Sequence, residues 1–440
     1  MIVAKFGGGL LNGAEGLLRV RDAIAALPRP LVVVASAFGH VTNQLESIAT
    51  EAINSESRAL ELLRILADEH RAVARDVLDA SAFDEWRVIA DAYVVRLEEI
   101  VHGLGIVHEL SPRTMDLTVS FGEHLSSATL YAALRSAQVP AQIIPATELI
   151  ITDNRHRFAR PNINLTRERV TSRLLPLLTG DNVVVTEGYI ARSASGETTT
   201  MGRESSDYSA TLLAELLGAS EVRIYTAVPG ILTADPSIVD EARTLKNLSY
   251  AAARTLGELG AKILHPRTVL PLEQAGIPLI IRSLTESGTT INSSEQSHGS
   301  SIALLPDASM VTVHLPAVST NDDAFISDLS SRVPLVWRSR FRHRLQLVTA
   351  ARVDRDALAL KLIDGNVEAE VVDGAVVSLV RQQGIDANDL ARFFDALGTC
   401  VPLAVLGGIE PHAVGVFVDA YVDAVPLVRS LHATFADGQS

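Results

Sequence analysis

Ile2-Val3-Ala4-Lys5-Phe6-Gly7-Gly8-Gly9 opens the chain, and Leu31-Val32-Val33-Val34-Ala35-Ser36 follows after one helical stretch. Each is a short apolar run that breaks towards glycine, at Gly7 and at Gly39, as strands buried on both faces do. Glu15 to Leu27, between them, has helical spacing. Strand, helix and strand predict a parallel βαβ unit, with glycine turns at the carboxyl ends of the strands, where open α/β sheets bind ligands.

Outward from this unit the α/β alternation continues. Residues about 55–105 have the apolar spacing of helices and are expected to cover the sheet as a helical insertion. A capped helix is expected near Gly122-Glu123, strands at Gln142 to Ile144 and Asn182 to Val185, and a helix at Asp207 to Leu217. Then come a strand at Glu221 to Tyr225, a helix at Tyr250 to Leu259 and a strand at Ile277 to Ile281. Ser/Thr/Gly/Asn-rich sequence near 283–301 places a domain boundary at about 295. Two shorter cycles follow. Strands are expected at Met310 to Leu315, Leu345 to Thr349, Ala357 to Leu362, Val376 to Val380 and Gly415 to Val418, with helices at Asn388 to Ala396 and Val425 to Phe435.

A length of 440 residues calls for several cores at about 100–200 residues each. The composition, 47% hydrophobic and 20% charged, suits packed domains rather than disorder. A net charge of −14 repels polyanions, so neither nucleic acid nor a membrane surface is an expected partner. The single cysteine, Cys400, excludes an internal disulfide and a cysteine-rich zinc site; with no signal peptide or membrane span legible, the cytoplasm is the expected compartment. Of 38 Lys+Arg only four are lysines, Lys5, Lys246, Lys262 and Lys361, which draws attention to positions that keep a compact ammonium.

Four segments carry candidate chemistry. Lys5 stands at a strand end before Gly7 and Gly8, whose backbone N–H groups can approach a phosphate without a Cβ in the way; alone, this also fits a solvated lysine. Gly202-Arg203-Glu204-Ser205-Ser206-Asp207 runs into a helix whose amino terminus can face an anion, with Arg203 as a carboxylate fork, or is an ordinary capped helix. Gly260-Ala261-Lys262 follows a helix, and Thr226 to Pro236 holds turns at Pro229-Gly230 and Asp235-Pro236.

In this order and at these separations the segments resemble the aspartate kinases of the amino acid kinase family. The blocks are Lys5-Phe6-Gly7-Gly8, Ser36 with Val41-Thr42-Asn43, Ser120-Phe121-Gly122-Glu123, Glu187-Gly188-Tyr189-Ile190, Gly202-Arg203 with Ser206-Asp207, Thr226 with Val228-Pro229-Gly230, Asp235-Pro236, and Gly260-Ala261-Lys262 with Leu264-His265-Pro266. The resemblance implies an amino acid kinase fold over 1–295, a mostly parallel sheet sandwiched by helices. Two small ferredoxin-like βαββαβ ACT domains would follow at 306–372 and 373–440, interleaved or in tandem.

The resemblance implies ATP- and Mg²⁺-dependent phosphorylation of the L-aspartate side-chain carboxylate, entering lysine and related amino-acid biosynthesis. It makes Lys5 and Asp207 catalytic and gives Ser36, Thr42, Glu123, Arg203 and Ser206 to the acidic amino acid. Gly7, Gly8, Thr226, Gly230 and Lys262 go to the nucleotide, and no residue is assigned as a metal ligand. It further implies a homodimer through the ACT-like domains and feedback by an amino-acid effector, although Val311 to Asp323 lacks the glycine turn usual in such effector sites.

Six positions, at four places, depart from the family pattern. Gly9-Leu10 replaces Thr-Ser, Glu204-Ser205 replaces Gly-Gly, Ala227 replaces Asp and Ser237 replaces Arg. Glu204 either faces solvent or, turned inward, requires a cation beside the triphosphate. These departures keep two alternatives open: a paralogous kinase for another acidic amino acid or a dedicated precursor, and a weakly catalytic amino-acid sensor.

Overall fold

The computed structural model describes residues 1–260, 264–293, 299–314, 326, 329, 333–341, 343–354, 368–407 and 411–436. In chain order the elements begin β1 (Ile2–Phe6), α1 (Gly13–Ala25), β2 (Leu31–Ala35), α2 (Val41–Ala52), α3 (Glu56–Val77), α4 (Ala80–Val107), α5 (Pro112–Ser136), β3 (Ala141–Ile143), α6 (Ala146–Leu149), β4 (Ile151–Thr152) and α7 (Ile163–Arg169). They continue with β5 (Val183–Glu187), β6 (Ile190–Ser193), β7 (Thr198–Thr200), α8 (Ser205–Leu217), β8 (Glu221–Tyr225), β9 (Asn247–Ser249), α9 (Tyr250–Glu258), α10 (Pro266–Ala275), β10 (Leu279–Arg282) and β11 (Thr289–Asn292). The last are β12 (Ser300–His314), β13 (Leu335–Phe341), β14 (Arg344–Thr349), β15 (Glu368–Arg381), α11 (Ala387–Ala396), β16 (Ala404–Leu406), β17 (Ala413–Asp419) and α12 (Val425–Ala436). Two compact units result: Met1–Gly230 with Arg267–Thr290, and Ile231–Pro266 with Ile291–Ser440.

In the first unit β3, β5, β2, β1, β8 and β10 lie side by side, every pairing parallel. Lys5 is in register with Val34 on one side and Ile224 on the other, so the carboxyl ends of β1, β2 and β8 share one edge. All five residues of β2 are buried, as its unbroken apolar run requires. Helices α3 and α4 pack through Leu63, Leu66, Leu97 and Val101, and Trp86 Nε1 donates to Thr129 Oγ1 at 3.0 Å.

The helix expected to start near Gly122 begins ten residues earlier. Ser111 caps it by accepting from Thr114 N at 3.1 Å, and Pro112 takes the first turn. Ser-Pro is the local start signal, and Gly122 lies mid-helix because its missing Cβ lets α5 approach Ala37 and Val41.

The second unit holds a six-stranded sheet in the order β13-β14-β12-β15-β17-β16, all antiparallel. Strand β12 pairs with β15 along its whole length, with a register shift between Leu305 and Ala308. One end of these two long strands packs Ile302, Val377 and Leu379 with Phe393 and Leu431; the other packs Val311, Val313, Leu345 and Leu347 with Val371. A boundary at 372/373 therefore falls inside β15. Residues 231–266 group with this unit rather than with 1–230: Ile302 N donates to Thr233 O at 2.8 Å, and Ala234 and Val239 join the apolar cluster of Val377 and Phe393. The strand expected at Ala357 to Leu362 lies outside the described residues.

Candidate active site at the carboxyl edge of the parallel sheet

Four strand exits of the first unit carry the candidate residues. Lys5 is near the end of β1 and its side chain is 12% exposed; its Nζ lies 2.7 Å from Asp207 Oδ1. Asp207 occupies the first turn of α8, where the helix dipole favours a carboxylate. The turn after β1 is fixed by Gly7 N donating to Tyr225 O at 3.1 Å and by Gly39 N donating to Gly8 O at 2.9 Å. A Cβ on Gly8 would stand 2.3 Å from Ala37 O, and one on Gly188 within 2.6 Å of Ser206 Cβ, so both glycines are steric requirements of the loops.

Glu123 projects from α5 and is 3% exposed. Its Oε1 accepts from Ala37 N at 3.3 Å, whereas Oε2 is buried without a hydrogen-bond partner among the described residues. Burial pushes its carboxyl up to about 8; the Ala37 N–H partly offsets this, and Glu187 adds to it. Ser36 is half-buried after β2, and its carbonyl accepts from Ser126 Oγ at 2.6 Å. Thr42 is half-buried in the first turn of α2, and Ser206 is buried in α8.

Arg203 is largely exposed. Its Nη2 lies 2.5 Å from Glu46 Oε2 and donates to Asn43 Oδ1 at 3.2 Å. Glu204 precedes α8 with φ 64° and ψ 10°, the left-handed region, and makes no side-chain cap bond. It is solvent-accessible, yet desolvation along the wall of the site raises its carboxyl, Asp207 raises it further, and Lys5 and Arg203 oppose that rise. Glu204 therefore sits within electrostatic reach of the Lys5–Asp207 pair.

Several residues here received no role in the sequence reading, although Glu187 and Tyr189 stand in one of the family blocks. Glu46 accepts from both Arg157 and Arg203; burial alone would raise its carboxyl, but the two guanidiniums outweigh that and hold it below the usual range. Asp116, fully buried, accepts from Thr200 Oγ1 at 2.6 Å, His156 Nδ1 at 3.0 Å and Arg157 N at 2.9 Å. Glu187 at the end of β5 accepts from Ala146 N at 2.6 Å and pairs with His124 Nδ1 at 2.9 Å. Buried Tyr189, with its phenol pushed up to about 12 by desolvation, lies within electrostatic reach of Glu123, Arg157 and Asp116. Glu46 was findable, four residues from Thr42 and so on its helix face; the polar turn Asp153 to Arg160 gave no signal that singled out Arg157.

On the far side of β1, Thr226 N donates to Arg282 O at 2.9 Å and Gly230 is buried. Phe6 and Tyr225 stack at 4.6 Å beneath this edge. Lys262 lies outside the described residues. Among the described residues no group of three or more His, Cys, Asp or Glu is placed to hold a metal, and no helix is long and apolar enough to cross a membrane.

A profile described as the amino acid kinase family matches residues 1–283. The chain belongs to the amino acid kinase family. It is 33% identical over 288 residues to lysine-sensitive aspartokinase 3 of Escherichia coli, covering 64% of this chain and 61% of that one. Against an aspartokinase of Chlamydia pneumoniae it is 32% identical over 282 residues, 64% of this chain and 60% of that one. The matched segment thus spans about three fifths of these relatives. Among solved structures it resembles E. coli aspartokinase III in complex with aspartate and ADP (R-state), at 26% identity, 99% coverage of both chains and a TM-score of 0.87. The lysine and aspartate complex of that enzyme (T-state) matches at 26% identity, 99% of both chains and a TM-score of 0.78. The expected α/β family fold with a further carboxy-terminal β/α region is thereby found.

Proposed function

We propose that this amino acid kinase is a cytoplasmic aspartate kinase that transfers the γ-phosphoryl group of ATP to the β-carboxylate of L-aspartate. The observation that carries the reading is the Lys5–Asp207 ion pair at the sheet edge, with the buried, half-satisfied Glu123 on the same edge. The structural relative that holds aspartate and ADP supports it.

The chemistry needs no general base, because a carboxylate is already an ionised nucleophile at neutral pH. Its oxygen bonds to the γ-phosphorus while the bond to the β-phosphate oxygen breaks, and that electron pair leaves with ADP. The product is β-aspartyl phosphate. What the protein supplies is screening and alignment of anions. Lys5 places an ammonium against the transferred phosphoryl oxygens, and Asp207 holds Lys5 in position. Glu123, ionised on binding, takes the substrate ammonium. Ser36, Thr42, Ser206 and Arg203 would take the amino acid, and the family resemblance gives the nucleotide to Gly7, Gly8, Thr226, Gly230 and Lys262.

Asp207 and Glu204 are the carboxylates that would hold Mg²⁺ with the nucleotide phosphates, and the ion would supply charge neutralisation there. Desolvation first, and then the Asp207 charge, raise the Glu204 carboxyl, so a cation beside it would favour its ionised form. The second unit, with two apolar clusters across shared strands, fits two interleaved ACT-like domains that pair in a homodimer and take an amino-acid effector.

Hydroxylamine trapping of an acyl phosphate formed from ATP and L-aspartate tests the reaction. No aspartate-dependent hydroxamate, together with turnover on another acidic amino acid, would select the second reading, a paralogous kinase. That reading is favoured by one observation: Arg203, the expected carboxylate fork, is already engaged by Glu46.

A further inference from the structure

We infer that Arg157, rather than Arg203 alone, receives the non-reacting carboxylate of the acceptor, and that Glu46 sets how much positive charge the acceptor meets. The inference rests on the kinase reading above.

The two nitrogens of the Arg157 guanidinium fork have different surroundings. Nη2 is held by Glu46, while Nη1 is buried with no hydrogen-bond partner among the described residues. An unpaired buried N–H of a charged group is costly, and a carboxylate oxygen is the partner that a guanidinium fork fits.

The side chain is also fixed from behind. Both oxygens of the buried Asp116 accept from Arg157 N, at 3.1 and 2.9 Å, and the residue adopts φ 74°, a left-handed conformation uncommon outside glycine. A Cβ on Gly202, immediately before Arg203, would meet the Phe158 ring at 3.5 Å and the Arg157 carbonyl oxygen at 3.7 Å. A non-glycine residue kept in this conformation by a buried carboxylate is the kind of constraint that functional sites retain.

Charge counting gives the ligand class. Glu46 accepts from both Arg157 and Arg203, so these two guanidiniums outnumber the one carboxylate that binds them; the Asp116 carboxylate also acts on Arg157 but is engaged by backbone N–H groups, Thr200 Oγ1 and His156. Glu123 offers one unpartnered oxygen to an ammonium, and Tyr189 is within electrostatic reach of both Glu123 and Arg157. One cationic and one anionic receptor match the α-ammonium and α-carboxylate of an amino acid. Its side-chain carboxylate is then left for phosphorylation at Lys5.

The test compares L-aspartate with its α-amide, which lacks only the α-carboxylate charge, in the full-length enzyme. Wild type should prefer L-aspartate. In Arg157→Gln the KM for L-aspartate should rise about 10- to 100-fold, the loss expected for a charge-assisted pair, with the KM for ATP unchanged and the KM for the α-amide nearly so. Arg157→Lys should recover part of the loss. Glu46→Gln should lower the KM for L-aspartate, because it removes the competing carboxylate. If Arg157 only held its loop through Glu46, both variants would raise KM together and the α-amide would suffer as much as aspartate; that pattern overturns the inference. Should wild type phosphorylate no acidic amino acid, the kinase reading fails, and calorimetric binding of the same two ligands to the same variants decides the role of Arg157. Equal discrimination in wild type and Arg157→Gln, or no binding to wild type, overturns it there as well.

Discussion

Lys5 Nζ lies 2.7 Å from Asp207 Oδ1, so the ammonium that would meet the transferred phosphate is already positioned by a carboxylate in the first turn of α8. Truncation of Lys5 removes charge stabilisation that is realised mainly as negative charge spreads in the transition state. Lys5→Ala should therefore lower kcat by about 10³-fold or more while changing the KM for L-aspartate little. Lys5→Arg should not restore the rate, since a planar fork replaces a point charge in a tight site. Hydroxamate formation measures both. A KM effect with kcat intact would move Lys5 from the reaction to binding.

Glu123 gives a pH signature with a defined sign. Its carboxyl is raised to about 8 in the ligand-free fold against an ordinary 4.5, so the folded state holds a proton that the unfolded chain has lost between those values. The contribution of this group to stability is fully present below about pH 4.5 and is lost as pH rises through about 8. Glu123→Gln should flatten that part of the stability–pH curve. Binding of an ammonium favours the ionised form, so aspartate binding near pH 7 should release close to one proton. Calorimetry in buffers of different ionisation enthalpy reads this directly, and the release should vanish in Glu123→Gln.

Glu204 occupies a left-handed backbone position that glycine adopts without strain. Glu204→Gly should stabilise the enzyme by up to about 1 kcal/mol, seen as a higher urea midpoint. If the side chain helps to hold the divalent cation, the same variant should need several-fold more Mg²⁺ for half-maximal rate at saturating ATP. An unchanged Mg²⁺ requirement would leave Glu204 as a residue facing solvent.

Local sequence made the parallel core legible because β1 and β2 are unbroken apolar runs and their glycines fall at the turns. Ser111-Pro112 was missed as the start of α5 because a capped start was read at Gly122-Glu123, whereas the role of Gly122 is tertiary: it makes room for Ala37 and Val41. Lys5 and Asp207, singled out through the family blocks, meet as an ion pair. The Glu46–Arg157–Arg203 arrangement was not legible, since it joins α2, the loop after β4 and the loop before α8, segments that meet only in the folded unit. The grouping of 231–266 with the second unit was hidden for the same reason, as it rests on contacts with β12 and β15 rather than on a change in composition.

Asp116 ties the Arg157 loop to β7. It has no solvent exposure and accepts hydrogen bonds from Thr200 Oγ1, His156 Nδ1 and the backbone N–H of Thr200 and Arg157. Asp116→Ala would leave these donors buried and unpaired, a loss of about 3 kcal/mol by the usual penalties. Asp116→Asn keeps the shape and one acceptor oxygen, and should cost less. Because the carboxylate also fixes the backbone at Arg157, Asp116→Asn should raise the KM for L-aspartate while leaving the KM for ATP near wild type. Melting curves and a two-substrate kinetic analysis separate the two effects. A variant that is destabilised but keeps its KM for aspartate would show that Asp116 holds the fold and not the position of Arg157.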